Sequence, residues 1–316
     1  MAIITAVKNG NWSDPTVWDS GALPQPGDTA RPGAFAVVID QDVICDWITN
    51  VAGATGYFAV TSGPRLINAD ISVENIPSNI NGFVRLSHPA GQLVTIIGDV
   101  TGPANQSTNL MTIVLSRAGG LRIEGAVSGG IAAGSSNAAL RVTAAGDPIT
   151  IIGDIHGHTG CAIHILSSRL VDIVGDVFGL SDYNLYATSC ILCMTYSGLI
   201  AAVITGDVSA GDWGPAVLIG GTPGNICSLR VHGNVSAHNG LPAVVSFPYG
   251  TVTVSGPVID DPSTGCPAVA GVLFRDVANP QSYIDLPYID PATDEITTER
   301  LWRRPGRILP IRGVLG

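Results

Sequence analysis

Residues 149–155, Ile-Thr-Ile-Ile-Gly-Asp-Ile, decide the fold, because six further segments of the chain have the same form. Each segment is a short apolar run around one glycine, and these glycines follow one another at intervals of 22 to 31 residues. One supersecondary unit per interval is typical of a solenoid, whereas a propeller blade needs about 40 residues. The seven glycines are Gly98, Gly125, Gly153, Gly175, Gly206, Gly233 and Gly256.

Apolar and polar residues alternate before each of these glycines. In all seven units, the residue at the second position before the glycine and the residue at the second position after it are β-branched. The residue at the fourth position before the glycine is always apolar. The residues three before it are mostly polar, as at Thr95, Arg122 and Thr150. Alternation with a period of two predicts a strand with one face in a core and the other facing outward. The glycine would form a corner where a side chain would crowd the next coil.

A second apolar run begins 9 to 14 residues after five of the glycines, in each case at an alanine. These alanines are Ala139, Ala162, Ala216, Ala243 and Ala268. Two or three short strands per repeat, with loops of varied length, favour coils stacked about 4.8 Å apart. The sequence therefore predicts an all-β fold, a right-handed parallel β-helix of about seven to nine coils.

Three regions are predicted along the chain: an N-terminal cap segment over residues 1–36, the parallel β-helix over 37–276, and an extended basic C-terminal arm over 277–316. Open ends of a β-helix expose strand edges, so caps are needed. Five prolines make it difficult for the arm to continue the coils. It is interpreted as a partner-binding segment, the alternative being a cap folded over the last coil.

Charge is distributed unevenly along the 316 residues. The formal net charge is −10, but residues 300–316 carry five arginines and no acid, which leaves −15 for the rest. A basic tail on an acidic body suggests docking against an acidic surface, and the body would repel nucleic acid. The predicted partner-binding residues are Arg300, Trp302, Arg303, Arg304, Arg307 and Arg312.

No stretch of 18 apolar residues is present, so no membrane span is predicted. The first ten residues lack a charged region followed by a long apolar core, so no secretory signal is expected. The six cysteines are accordingly predicted to be buried free thiols rather than disulfides.

The N-terminal segment has a motif of its own. Residues 9–12 read Asn-Gly-Asn-Trp, Trp18 follows, and residues 21–28 have the form Gly-x-x-Pro-x-x-Gly-Asp. This stretch, from residue 9 to about 45, resembles the opening of many bacteriophage virion β-helix proteins. It is also similar to the glycine-rich extracellular domain family with eight marked glycines. The resemblance implies a role on the virion surface and a homotrimer.

Two kinds of phage β-helix protein fit this resemblance. The short segment before the coils and the long arm favour a capsid cement or decoration protein, made in the host cytoplasm and bound to the major capsid protein or its neighbours in the virion. The alternative is a tailspike or receptor-binding protein that binds or cleaves host polysaccharide. A bacterial surface adhesin is disfavoured, because no export signal is expected.

Candidate chemistry is sparse. Four aspartates and an asparagine directly follow corner glycines and could bind Ca²⁺, but a turn ladder is the favoured interpretation. They are Asp99, Asp154, Asp176, Asp207 and Asn234. His156 and His158 share a strand face, as metal ligands can, but a solvated pair is expected. Asp260 and Asp261 are likewise expected to be solvated, and Lys8 is the only lysine.

A carbohydrate-binding face is the other open interpretation. Tyr183, Tyr186 and Trp213 lie in the longest predicted loops and could gather on one side of the coils. Loop aromatics that cover a core edge are equally expected. The chain is therefore predicted to be non-enzymatic, with no catalytic residues, no metal site and no cofactor.

Overall fold

The structure is a computed structural model of the chain. The described residues are 1–51, 53–73, 82–103, 111–117, 119–130, 134–144, 146–158, 160–168, 170–179, 191–194, 200–212, 214–222, 225, 227–246, 249–271, 284–289 and 296–301.

Three parallel ladders run along the molecule, because each strand pairs with its counterpart in the next coil. The first ladder consists of β1 (Ile3–Thr5), β3 (Thr29–Arg31), β5 (Val43–Ile48), β7 (Arg65–Ile71), β9 (Leu93–Ile97), β12 (Gly120–Glu124), β15 (Ile149–Ile152), β18 (Leu170–Val174), β21 (Ile200–Thr205), β24 (Cys227–His232), β27 (Gly250–Val254) and β30 (Ile284–Ile289). The corner ladder, after the repeated glycines, consists of β10 (Val100–Thr101), β13 (Val127–Ser128), β16 (Ile155–His156), β19 (Val177–Phe178), β22 (Val208–Ser209), β25 (Val235–Ser236) and β28 (Val258–Ile259).

The second ladder forms a separate sheet of eleven strands. It consists of β2 (Gly10–Asn11), β4 (Ala36–Val38), β6 (Tyr57–Val60), β8 (Val84–Leu86), β11 (Met111–Leu115), β14 (Gly134–Val142), β17 (Gly160–Ile165), β20 (Ile191–Met194), β23 (Val217–Gly220), β26 (Val244–Ser246) and β29 (Val269–Gly271). The remaining elements are the 3₁₀ turn Pro15–Val17 and β31 (Ile296–Leu301).

Like residues stack on like residues through the core. In the first ladder, Ile96, Ile123, Ile151 and Ile173 are direct partners from one coil to the next. Of the fourteen β-branched residues beside the glycines, thirteen are buried, and Val258 in the last coil packs half-buried against them. The predicted all-β, right-handed parallel β-helix is thus confirmed.

The ladders begin earlier than the predicted cap boundary at residue 37. Ile3 already pairs in parallel with Thr29, and Gly10 with Val37, so residues 1–36 contribute strands to the coils. The repeat did not show these coils because they lack the corner glycine, and the corner ladder starts only where Val100 pairs with Ile71. The solenoid has about eight turns, as the predicted seven to nine coils require.

An antiparallel segment closes the N-terminal edge. Trp18 bridges Ala6, the N–H of Val7 donates to the carbonyl of Val17 at 2.7 Å, and the N–H of Asp19 donates to the carbonyl of Thr5 at 2.9 Å. These bonds occupy the free edge of β1, which would otherwise pair with another chain. The predicted cap segment over 1–36 thus contains ladder strands together with the antiparallel segment around residues 15–19.

Two tryptophans fill the core beneath this cap. Trp12 and Trp18 are buried and meet edge to face with ring centroids 4.8 Å apart. The indole N–H of Trp18 donates to the carbonyl of Trp12 at 3.0 Å, so the polar atom of the buried ring is satisfied. The residues that carry the family resemblance thus build the first coil and its closure.

The opposite end is closed in a related way. β30 adds to the last full coil in parallel, through the pair Thr253 and Asp285, and β31 returns antiparallel to β30. Residues 284–289 and 296–301 of the predicted arm thus form a β-hairpin on the sheet edge, and the rest of the arm lies outside the described residues. An antiparallel pair suits this position because it ends the coil repeat while satisfying the backbone of β30.

We expect Ile151→Asp to prevent folding, because it places an unpaired carboxylate in the core at a cost of several kcal/mol. Thr150→Asp, one residue away on the outer face, should change the free energy of unfolding by about 0.5 kcal/mol or less. Circular dichroism and urea titration of the two variants test this. Equal damage from both would contradict the register.

Candidate functional site

The corner glycines are required by close contact between coils. A Cβ at Gly153 would overlap the carbonyl oxygen of Gly125, and one at Gly175 would overlap that of Gly153. The same overlap recurs from Gly98 to Gly256. No side-chain movement can relieve it, because the obstructing atoms belong to the backbone. The predicted reason for these glycines is therefore confirmed.

The aspartates after the glycines form hydrogen bonds between coils. The N–H of Asp99 donates to Asp70 Oδ1 at 2.8 Å, and the N–H of Ala126 donates to Asp99 Oδ1 at 2.8 Å. Each carboxylate thus satisfies the backbone of the next coil at the same repeat position. Charged acceptors make such bonds stronger than those between neutral groups.

Ala126 has no side-chain acceptor, so the series of hydrogen bonds is interrupted there and resumes at Asp154. The N–H groups of Asp176, Asp207 and Asn234 each donate to the preceding aspartate, at 2.9, 2.7 and 2.8 Å. It ends at Pro257, which has no N–H to donate. This is the turn ladder favoured by the sequence. Within the described part of the chain, no group of three or more His, Cys, Asp and Glu side chains could hold a metal ion.

The other predicted candidates have structural contacts. His156 stacks on Phe178 of the next coil, with ring centroids 5.0 Å apart and an interplanar angle of 5°. Asp260 accepts the N–H of Ala268 at 2.8 Å. Asp261 is buried and accepts the N–H of Gly240 at 2.6 Å. The expectation of a solvated carboxylate is confirmed for exposed Asp260 and was wrong for Asp261, because the stacked turn needs a side-chain acceptor for its N–H groups.

Two further groups have shifted pKa values. The hydroxyl of Ser263, followed by the N–H of Gly240, holds the pKa of Asp261 well below its usual range. Burial, reinforced by nearby Asp46 and Asp28, raises the pKa of the Cys45 thiol to about 12. Cys45 is therefore protonated at neutral pH and a poor nucleophile, as expected for a buried thiol in a core.

Most of the predicted partner-binding residues lie outside the described residues. Arg300 is in β31, paired with Asp285 of β30. The residues not described include Trp302, Arg303, Arg304, Arg307 and Arg312, and also Tyr183, Tyr186 and Trp213. The predictions of an arginine cluster and of an aromatic set therefore fall outside the described residues.

The outer face of the first ladder carries exposed aliphatic side chains. Ile44, Leu93, Ile97 and Val174 are 50%, 42%, 36% and 43% exposed. Ile44 and Ile97 lie in one column of the ladder, separated by Asn68. We call this surface the apolar face. This face was not predicted from the sequence. Ile97 and Val174, which directly precede corner glycines, could have indicated it, because they are apolar at a position that the alternation places on the outer face.

Charged residues of both signs lie in the middle of the apolar face. Arg122 donates from Nε to Glu124 on the same strand at 2.6 Å, so this arginine, predicted to point outward, is held in an ion pair. Asp172 follows two coils along the same column, and exposed Arg230 two coils after that. The face is thus apolar at its flanks and mixed in charge at its centre.

The outer face of the second ladder carries three basic residues in one column. Arg85, Val114, Arg141 and His164 are successive partners across four coils. The guanidinium of Arg85 lies 3.5 Å above the ring centre of Tyr57. We call Arg85, Arg141 and His164 the basic column. Sequence reasoning missed it, because these residues are neighbours only through coil stacking.

Replacing Ala126 with asparagine should stabilise the protein by about 1 kcal/mol. The new side-chain oxygen can accept the N–H of Asp154 and close the gap in the ladder. Urea denaturation measures the gain, with Ala126→Leu as the control that adds a side chain without an acceptor. An unchanged midpoint for the asparagine variant would show that this ladder position contributes nothing.

Asp176→Ala should destabilise the fold by about 1–2 kcal/mol, since the N–H of Asp207 loses its acceptor. Asp176→Asn keeps an oxygen in place and should cost clearly less. Thermal unfolding of both variants distinguishes a hydrogen-bonding role from a role of the negative charge. If the charge were what matters, the two variants would lose equal stability.

Comparison with family models, curated proteins and solved structures finds no match to this chain. The described residues contain no helix long and apolar enough to cross a membrane. What identifies the chain is thus its fold: a parallel β-helix with closed ends, an apolar face and a basic column.

Proposed function

We propose that the chain is a non-enzymatic structural protein of a bacteriophage virion, a capsid cement or decoration protein. It assembles as a homotrimer and binds the major capsid protein at the head surface. The observation that carries this proposal is the apolar face on the side of the rod. The resemblance of residues 9–45 to virion β-helix proteins supports the phage assignment.

The apolar face supports assembly through the side of the rod. Aliphatic side chains such as Leu93, Ile97 and Val174 lie on a rigid ladder, so ordering them in an interface costs little entropy. These aliphatic side chains flank the charged centre of the face, so a partner bound there contacts both apolar and charged groups. At the N-terminal end, an antiparallel segment disfavours stacking of another chain on the edge of β1.

The role of the carboxylates supports a structural protein over a glycosidase. Glycoside hydrolysis needs two carboxyl groups about 5 to 10 Å apart, one of them free to donate a proton. Asp154, Asp176 and Asp207 instead accept backbone N–H groups of the next coil. A tailspike that binds polysaccharide without cleaving it remains the alternative that the experiments below distinguish.

Size-exclusion chromatography with light scattering should give the mass of a trimer. Val174→Glu should yield monomers, because it places a charge in the apolar face. Ile259→Glu is the matched control, since Ile259 is an equally exposed aliphatic residue on the corner ladder. A monomeric wild-type protein, or equal loss of trimer in both variants, would contradict the role of the apolar face.

Truncation of the arm separates binding from capping. Deleting residues 302–316 keeps the hairpin, so stability should be retained while binding to capsids is lost. Deleting residues 284–316 also uncovers β27 and should lower the melting temperature. Capsid binding is measured by cosedimentation with heads that lack the protein. Retained binding after the shorter deletion would remove the arm from the proposal.

Incubation with capsule or lipopolysaccharide of the host should release neither reducing ends nor unsaturated sugars. An electron-microscopy map of the particle should place the protein on the head. Density at the tail tip, together with sugar release that Asp154→Asn abolishes, would assign the chain to the depolymerases.

A further inference from the structure

We infer that Arg141 is the centre of an oxyanion-binding site on the outer face of the second ladder, which takes a carboxylate or phosphoryl group. The basic column supplies its other members, Arg85 and His164. This site is separate from the apolar face and does not depend on the proposed assembly.

Among the described residues, the only hydrogen-bond acceptor for Arg141 is a weak one. Its Nη1 lies 3.7 Å from the sulfur of Met111, a weak acceptor. Its Nε is buried without a hydrogen-bond partner. Among the described residues, no carboxylate lies within ion-pair distance of it. A buried donor left unsatisfied is costly, so such groups call for an explanation.

Two other arginines of the chain have internal partners for their guanidinium groups. Arg122, on the first ladder, forms an ion pair with Glu124 at 2.6 Å. Arg85 lies over Tyr57 and donates from Nε to the carbonyl of Gly82 at 3.2 Å. Among the described residues, Arg141 has neither a carboxylate nor an aromatic ring beside its guanidinium. Arg31 and Arg65 share the buried Nε without a partner, so the Nη groups of Arg141 are the donors that can meet an external acceptor.

The surroundings of Arg141 strengthen its attraction for an anion. Val114 and His164 are its direct neighbours in the column, and both side chains are mostly buried. Partial burial lowers the pKa of Arg141, which means that its charge is incompletely solvated. A bound anion would supply the missing compensation, because electrostatic attraction increases where water is displaced.

The chemistry of the ligand follows from the guanidinium. Its planar fork matches two oxygens of a carboxylate or phosphoryl group and gives a bidentate contact. Arg85 lies two coils away, about 10 Å along the rod at the spacing of stacked strands. A ligand with a second negative group at that distance would contact both arginines. Neutral sugars lack the charge that this site requires.

The test is thermal unfolding of the full chain in sodium phosphate and in sodium chloride of equal ionic strength. Phosphate should raise the midpoint in a saturable way, and the folded-to-unfolded ratio should rise about 100-fold at 100 times the dissociation constant. Arg141→Gln should abolish this gain, and Arg141→Lys should weaken it because it keeps charge without the fork. Arg230→Gln, a change on the opposite ladder, should leave it intact.

Two results would overturn the inference. One is an equal midpoint of the wild-type protein in the two salts, and the other is a phosphate gain that survives Arg141→Gln. If Arg141→Gln does not fold, the rise of the midpoint in phosphate is compared between Arg141→Lys and Arg230→Gln. An equal rise in these two variants would likewise overturn the inference. Calorimetric titration with glucuronate and with glucose then identifies the source. Binding of glucuronate alone indicates an acidic sugar, and binding of phosphate alone indicates a phosphoryl group.

Discussion

Close stacking of one coil on the next is the constraint on which the structure depends. At the corner, the α-carbon of each glycine faces the carbonyl of the glycine in the previous coil so closely that a single methyl group would separate the coils. This contact allows the backbone to turn and start the corner ladder. It also brings the following aspartate within reach of an N–H in the next coil. The glycine, the turn of the backbone and the hydrogen bond of the aspartate thus depend on one another at a single repeated position.

Most of the core could be predicted from the sequence. A strand period of two and a glycine at a fixed position together determine which side chains face inward. Ile96, Ile123 and Ile151 are partners as their spacing indicated. The strands before residue 37 could not be found in this way, since they turn without the repeated glycine. Their ladder is visible only once Ile3 and Thr29 are seen to pair.

The candidate sites were harder to foresee for a physical reason. Arg141 and His164 are 23 residues apart in sequence, and only the lengths of the intervening loops make them neighbours. Those lengths vary from coil to coil, so outer columns cannot be aligned from composition. The residue before the corner glycine varies likewise, from isoleucine at Ile97 to glutamate at Glu124. Residue types repeat at core positions because these positions share one environment. At outer positions they vary, because each side chain contacts different neighbours.

Antiparallel segments lie at both ends of the first ladder. The eleven strands of the second ladder span about 50 Å at the spacing of stacked coils. Lengthening the first ladder by addition at an end would displace one of these segments. Duplication or loss of an internal coil would instead change the length in steps of about 4.8 Å and leave both segments unaltered. The fold can therefore act as a spacer whose reach evolves by whole coils.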